Sequence, residues 1–156
     1  MLIREMTFAD IPQVVEIETQ CFSLPWSEKS FQDSLERADT LFLVCEEQKD
    51  TDVTAEYKSE ITGYIGVYIS FDEANITNVA VSSKQRKKGY GEALVSIAKE
   101  RAKNRQAEKM FLEVRVSNTP AISLYQKMGF QNLGVRKNFY DNPKEDAYIM
   151  SCDLLL

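Results

Sequence analysis

Apolar and polar positions change period several times along this chain, and each change marks an element. Leu2 to Met6 reads as a short strand. Thr7-Phe8-Ala9-Asp10 fits a capping-box start, after which Ile11, Val14 and Val15 recur on one helical face. The break Ser23-Leu24-Pro25-Trp26-Ser27 leads to a shorter helix carrying Phe31 and Leu35, with Ser27 in the N-cap position. Leu41 to Cys45 is apolar and strand-like. Residues 46–60 are charged and without period, which predicts a long, exposed hairpin loop.

From Ile61 the period becomes two. Ile61, Gly63, Ile65, Val67 and Ile69 are expected on one face, and Thr62, Tyr64, Gly66 and Tyr68 on the other. Ile76 to Val81 follows a turn at Phe71-Asp72-Glu73 and reads as the next antiparallel strand. Leu94, Ile97, Ala98 and Ala102 have helical spacing; Met110 to Val116 alternates again. A further helix has Pro120 in its first turn, where a missing N–H costs little, and Gly129 as its stop. Phe130 to Arg136 and Ala147 to Leu154 complete the strands, joined around Asp141-Asn142-Pro143. The order β-α-α-β-β-β-α-β-α-β-β predicts one mixed α/β domain over residues 1–156, with hairpins early and crossovers late.

Composition narrows the chemistry. A length of 156 residues favours one compact domain. Nineteen basic against 24 acidic residues give a net charge of −5, which argues against direct nucleic-acid or anionic-membrane binding. There is no histidine, which removes His-based triads, HExxH zinc sites and His-ligated haem, and no metal site is expected. Cys21, Cys45 and Cys152 are odd in number and far apart, and are expected to be buried thiols of a reducing compartment. No stretch has the length of a membrane span and no apolar signal core opens the chain, so a cytoplasmic protein is expected.

The sharpest local signal is Val79-Ala80-Val81-Ser82-Ser83-Lys84-Gln85-Arg86-Lys87-Lys88-Gly89-Tyr90-Gly91, running strand, turn, helix. Unpaired amides at a helix start, with the helix dipole, make a ready anion site, and glycines let a phosphate approach the backbone. Neither a Walker loop nor a dinucleotide GxGxxG is present. On spacing alone, a solvated basic turn with tight geometry explains the pattern equally well.

The strand V-A-V followed by Arg86-x-x-Gly89-x-Gly91 resembles the acetyl-CoA motif of the GNAT acetyltransferases. The resemblance extends over nearly the whole chain. It takes in Ile3-Arg4-x-Met6-Thr7, Phe22-x-x-Pro25-Trp26-Ser27 and Leu112-Glu113-Val114-Arg115-x-x-Asn118. It continues through Ala121-x-x-Leu124-Tyr125-x-x-x-Gly129-Phe130, Arg136-x-x-x-Tyr140 and Glu145-Asp146-Ala147-x-x-Met150. The PWS, LEVR-x-x-N and EDA-x-x-M elements are similar to the branch of ribosomal-protein-alanine N-acetyltransferases. The resemblance implies a mostly antiparallel sheet in which two neighbouring strands splay apart and admit the pantetheine arm of acetyl-CoA. It implies that Val79, Ala80 and Val81 offer backbone groups to that arm. Arg86, Lys87, Lys88, Gly89, Tyr90, Gly91 and Glu92 would then wrap the pyrophosphate with main-chain N–H groups.

Acetyl transfer to an amine needs a base for the amine, a polarised carbonyl and a proton for the departing sulfur. Glu113 lies mid-strand among apolar neighbours, where a dehydrated cleft would favour a proton-accepting carboxyl group. Alternation alone favours a surface glutamate paired with Arg115 or a lysine. The resemblance implies that Glu113 is the general base and Tyr125 the general acid; by itself Tyr125 reads as a core tyrosine. Asn118 is a helix N-cap, a cofactor ligand or both, and the resemblance favours cofactor contact. An oxyanion donor is expected from a backbone N–H near Val81.

Phe22, Pro25, Trp26, Phe139 and Tyr140 are either ordinary packing aromatics and loop residues or the walls of an acceptor slot. The resemblance favours the slot, with Trp26 and Tyr140 as substrate-binding residues. Phe139 departs from the Tyr pair of related N-terminal acetyltransferases, so one hydroxyl is absent. The Lys144-Glu145-Asp146 run reads as a charged turn. The implied partner is the basic N-terminal peptide of a ribosomal protein, acetylated on alanine by a monomeric enzyme in a ternary complex. Two alternatives stand beside it: acetylation of a small amine such as a polyamine or aminoglycoside, and a non-catalytic acyl-CoA-binding module.

Overall fold

The computed structural model describes residues 1–49 and 58–155. Strand β1 (Leu2–Glu5) is followed by a single 3-10 turn and helices α1 (Ile11–Cys21) and α2 (Glu28–Leu35). Strands β2 (Thr40–Lys49), β3 (Lys58–Ser70) and β4 (Glu73–Val81) lead to α3 (Tyr90–Asn104). Strand β5 (Lys109–Arg115), α4 (Thr119–Lys127), β6 (Gln131–Tyr140) and β7 (Glu145–Asp153) complete the described chain. The seven strands form one sheet in the order β1-β2-β3-β4-β5-β7-β6, antiparallel throughout except for the β4/β5 pair. The expected α/β order and mixed sheet are therefore observed.

Local chemistry sets the element ends. The Thr7 N–H and hydroxyl both donate to the Asp10 carboxylate, at 2.7 and 3.1 Å, ahead of α1. Ser27 caps α2 by accepting from the Ser30 N–H at 3.1 Å, and Asn118 caps α4 by accepting from Ala121 at 3.3 Å. Gly129, at φ +93°, ends the α4 segment in a left-handed conformation. The loop expected over 46–60 is shorter at both ends, because cross-strand pairing continues through Glu46↔Ile61, Glu47↔Glu60 and Gln48↔Ser59. Residues 50–57 lie outside the described residues.

The sheet carries a core on each face. Leu43, Ile65, Leu94, Met110, Leu112 and Met150 pack beneath α3 and α4; Ile11, Val14, Phe31, Phe42, Val44 and Tyr64 pack beneath α1 and α2. This explains why Leu41–Cys45 is continuously apolar: its alternate residues enter opposite cores. One expectation is corrected here. Ile61 joins Tyr64 in the α1/α2 core, whereas Ile65 and Val67 lie in the other. The register shift opposite Cys45/Glu46 leaves Thr62 as an extra residue, and a one-residue bulge reverses the side-chain phase.

A second bulge decides the site. The β3/β4 register passes from Gly66↔Asn78 to Val67↔Ile76, leaving Thr77 as the extra residue. Ala74 and Ile76 face the α3 core, but beyond the bulge Ala80 faces the α1/α2 core. Parallel pairing of β4 with β5 stops at the same place, after Asn75↔Phe111. From Ile76 and Leu112 onward the two strands present unpaired edges to each other.

Gly66 supports this bulge by its lack of a side chain. A Cβ there would stand 2.4 Å from the Phe42 ring and 2.5 Å from Asn78 Oδ1. Both neighbours are buried, so neither can swing into solvent. Gly66→Ala is therefore expected to lower stability by about 1–3 kcal/mol through overpacking, read as a reduced midpoint in urea unfolding. An unchanged midpoint would mean that the bulge relaxes freely.

Candidate active site

The gap between β4 and β5 opens into a cleft of about 450 Å³. Its floor is Ile76–Val79 of β4 and Leu112–Arg115 of β5. Glu18 and Cys21 of α1, with the Phe22–Trp26 loop, form one wall; Asn118 and Tyr125 of α4 and Phe139–Asp141 form the other. Glu113, Tyr125, Asn118, Val79, Trp26 and Tyr140, which the sequence pattern singles out, thus meet in one cavity.

Glu113 points from β5 into this cleft, half-buried. The ion pair with Arg115 that alternation allowed does not form. Arg115 instead donates to the carbonyls of Pro143 at 2.9 Å and Asp141 at 3.1 Å and meets the Glu145 carboxylate at 3.2 Å. Its guanidinium also lies 4.4 Å from the centre of the Tyr140 ring. Among the described residues, no hydrogen bond or salt bridge engages the Glu113 carboxylate.

Tyr125 is buried, with its ring edge-on to Phe130 at 5.7 Å. Burial, reinforced by the neighbouring Tyr140, pushes its phenol well above the usual tyrosine range, so the hydroxyl keeps its proton. Tyr140 is half-buried; burial and then the Glu113 charge push its phenol up to about 12, against the opposing pull of Arg115. Phe139 packs edge-on against Tyr140 at 4.9 Å and remains partly exposed.

The late turn is more than the charged segment expected from Lys144-Glu145-Asp146. Glu145 accepts from the Ser117 N–H at 2.8 Å, and Asp146 accepts from the Asn138 N–H at 2.8 Å. With Arg115 they clamp the turn that carries Tyr140 to the end of β5. The functional contribution of this run lies in contacts between segments, which spacing along the chain does not display.

The basic turn faces solvent. Arg86, Lys87, Lys88 and Gly89 are exposed, and Gly89 adopts φ +82° with open space where a Cβ would stand. The first-turn N–H groups of α3, at Tyr90, Gly91 and Glu92, have no acceptor within the helix. Side chains here are turned to other work. The Tyr90 hydroxyl donates to Glu47 on β2, and the Glu92 carboxylate pairs with Lys127 at 2.9 Å. Any ligand contact from these two residues must therefore come from the main chain. Ala80 is buried beneath α1 and α2, while Val79 and Val81 pack toward the other core.

Two residues at this site escaped the sequence pattern. Cys21 is half-buried rather than buried, and lies between the Val81 carbonyl at 3.6 Å and the Arg86 guanidinium at 3.5 Å. Glu18, on α1, is 2% exposed, and burial pushes its carboxyl up to about 7; the Trp26 N–H and the Asn78 amide oppose this. Glu-x-x-Cys at helical spacing was the available signal, but nothing in it separates a buried carboxylate from a solvated one. Trp26 itself packs on Phe31 at 5.3 Å and Phe42 at 6.1 Å, so it is anchored in the core as well as facing the cleft.

Comparison with known proteins bears on this cleft. Residues 11–130 match the model of the acetyltransferase (GNAT) family. The chain belongs to that family. This GNAT acetyltransferase is 42% identical over 149 residues, 95% of its length and 92% of the relative's, to a Bacillus subtilis (strain 168) protein provisionally named a ribosomal protein bS18-alanine N-acetyltransferase. The crystal structure of the Escherichia coli ribosomal-protein-S18-alanine N-acetyltransferase superposes with a TM-score of 0.80 at 28% identity, covering 98% of this chain and 93% of that one. Arabidopsis thaliana NAA60 in complex with acetyl-CoA shares the fold, with a TM-score of 0.85 at 19% identity over 99% of both chains. The protein is thus an N-acetyltransferase of a family that uses acetyl-CoA. Among its described residues, no helix is long and apolar enough to cross a membrane.

Proposed function

We propose that this GNAT enzyme acetylates the N-terminal alanine of a small-subunit ribosomal protein, by direct transfer from acetyl-CoA within a ternary complex. The observation that carries the chemistry is the convergence of a free carboxylate, Glu113, and a protonated phenol, Tyr125, on one cleft floored by unpaired strand edges. The alanine acceptor rests on likeness to relatives named for that reaction.

The residues present fit acetyl-CoA. The open edge of β4 around Val79–Val81 offers unpaired main-chain groups to an extended arm, and the cradle from Arg86 to Glu92 offers N–H groups to a pyrophosphate. Asn118, exposed at the cleft rim while it caps α4, is the side chain available to the cofactor on the far wall. When bound, acetyl-CoA supplies an activated acetyl thioester. Glu113 takes the proton of the incoming amine on its carboxylate, and the Tyr125 hydroxyl gives a proton to the departing sulfur. A backbone N–H near Val81 stabilises negative charge on the carbonyl oxygen. Trp26, from the loop, and Tyr140, from the late turn, both line the cleft and orient the peptide. With both proton carriers present, no covalent enzyme intermediate is required.

The test is a pair of parallel assays. Purified protein and acetyl-CoA are offered a basic peptide beginning with alanine, and a panel of polyamines and aminoglycosides. Gain of one acetyl group on the peptide's α-amine, seen by mass spectrometry, is expected. Transfer confined to the small amines would move the acceptor assignment to that class, and binding without transfer to any acceptor would leave an acyl-CoA-binding module.

A further inference from the structure

Glu18 has the features of a group retained for function at a cost to stability. Its Oε1 accepts from the Trp26 N–H at 3.3 Å, but its Oε2 is buried with no hydrogen-bond partner among the described residues. Opposite lies Asn78, placed on this face by the Thr77 bulge. Its Oδ1 accepts from the Thr77 hydroxyl at 2.9 Å, while its Nδ2 is also buried and unpartnered. The amide lies against the carboxyl group but outside hydrogen-bonding geometry. Both side chains line the cleft. Ionising a carboxyl group whose folded pKa is raised costs stability. That stability is whole below the ordinary value of 4.5 and lost as pH rises through about 7. Perturbed groups of this kind, placed in a cleft, mark functional positions.

We propose that Glu18 is a positioning residue for the acceptor: by accepting from the Trp26 N–H its carboxylate ties the Phe22–Trp26 loop to α1 beside the Thr77–Asn78 bulge, and so sets that loop over the acceptor end of the cleft. The identity of the acceptor rests on the acetyl-transfer function proposed above; the tie itself does not. Ionised, Glu18 is a charge-assisted acceptor for the Trp26 N–H, and protonated it is a weaker one. The facing groups on β4 and the loop, Thr77, Asn78 and Trp26, are neutral. Cys21 lies one turn along α1, with Arg86 beyond it, and Glu113, Arg115, Tyr125, Tyr140 and Asp141 belong to the rest of the cleft.

Trp26 is the single tryptophan and the chain has no histidine, so its fluorescence reports this tie directly. Titrating the free protein from about pH 5.5 to 8.5 is expected to shift the emission with a midpoint near 7, and Glu18→Gln should abolish the shift. A flat wild-type titration, or a shift that survives in Glu18→Gln, overturns the proposal without any substrate being present. Kinetics supply the second arm. The ratio of peptide KM in Glu18→Gln to that in wild type should rise from about 1 near pH 6 to about 3–10 near pH 8.5, with acetyl-CoA KM within about twofold. The amine's own titration cancels in that ratio. A ratio independent of pH would reduce Glu18 to packing, whereas absence of transfer by the wild type would count against the acceptor assignment instead.

Discussion

Glu113→Gln is expected to lower kcat for amine acetylation by about 10²–10⁴-fold with acetyl-CoA affinity unchanged. The substitution preserves shape and removes only the capacity to take a proton. Glu113 contributes to no hydrogen bond or salt bridge among the described residues, so its replacement leaves the late turn clamped by Arg115, Glu145 and Asp146. Binding of the donor is assigned to the main chain of β4 and of the Arg86–Glu92 cradle, remote from the altered atom. Calorimetric titration of acetyl-CoA into the variant, beside a turnover assay on the alanine peptide, separates the two effects. Near-normal turnover would take Glu113 out of the proton path and leave an ordered water as base.

Tyr125→Phe should slow transfer by about 10–10²-fold, less than the loss at Glu113, because a thiolate is already a competent leaving group and needs less help than an amine. The hydroxyl is suited to giving a proton because burial keeps it protonated at neutral pH. The variant retains the ring and its edge-on contact with Phe130, so folding is expected to survive, with a thermal midpoint close to wild type. Single-turnover kinetics at saturating acetyl-CoA and peptide would read the chemical step. An unchanged rate would make Tyr125 a packing residue and assign the proton to solvent.

How the chain folds was largely visible in its periodicities, where local physics is strong. Ser27, Asn118, Pro120 and Gly129 act at helix ends, and there they are found. The alternation of Met110, Leu112 and Val114 faces the core, as its period of two requires. Period failed at Ile61, because a bulge inserts one residue and carries no signature in hydrophobicity. Charge misled at residues 46–49 and 58–60: polar side chains on a two-stranded extension look like a loop, yet their backbones remain paired.

The same division holds at the active site. Residues proposed to act through the backbone, such as Gly89, or from one position on an element, such as Glu113 and Tyr125, lie in short motifs. Glu18 and Asn78 lie 60 residues apart and become neighbours because the Thr77 bulge turns Asn78 toward α1. Arg115 is a visible member of the LEVR motif, but its work is done on Asp141, Pro143 and Glu145. Amino-acid order alone therefore established the element sequence, the glycine-containing basic turn and the family, since each is written in short stretches of chain. The open seam between β4 and β5, the freedom of Glu113 from an ion pair and the burial of Glu18 depend on register between distant segments, where one inserted residue redirects a whole strand face.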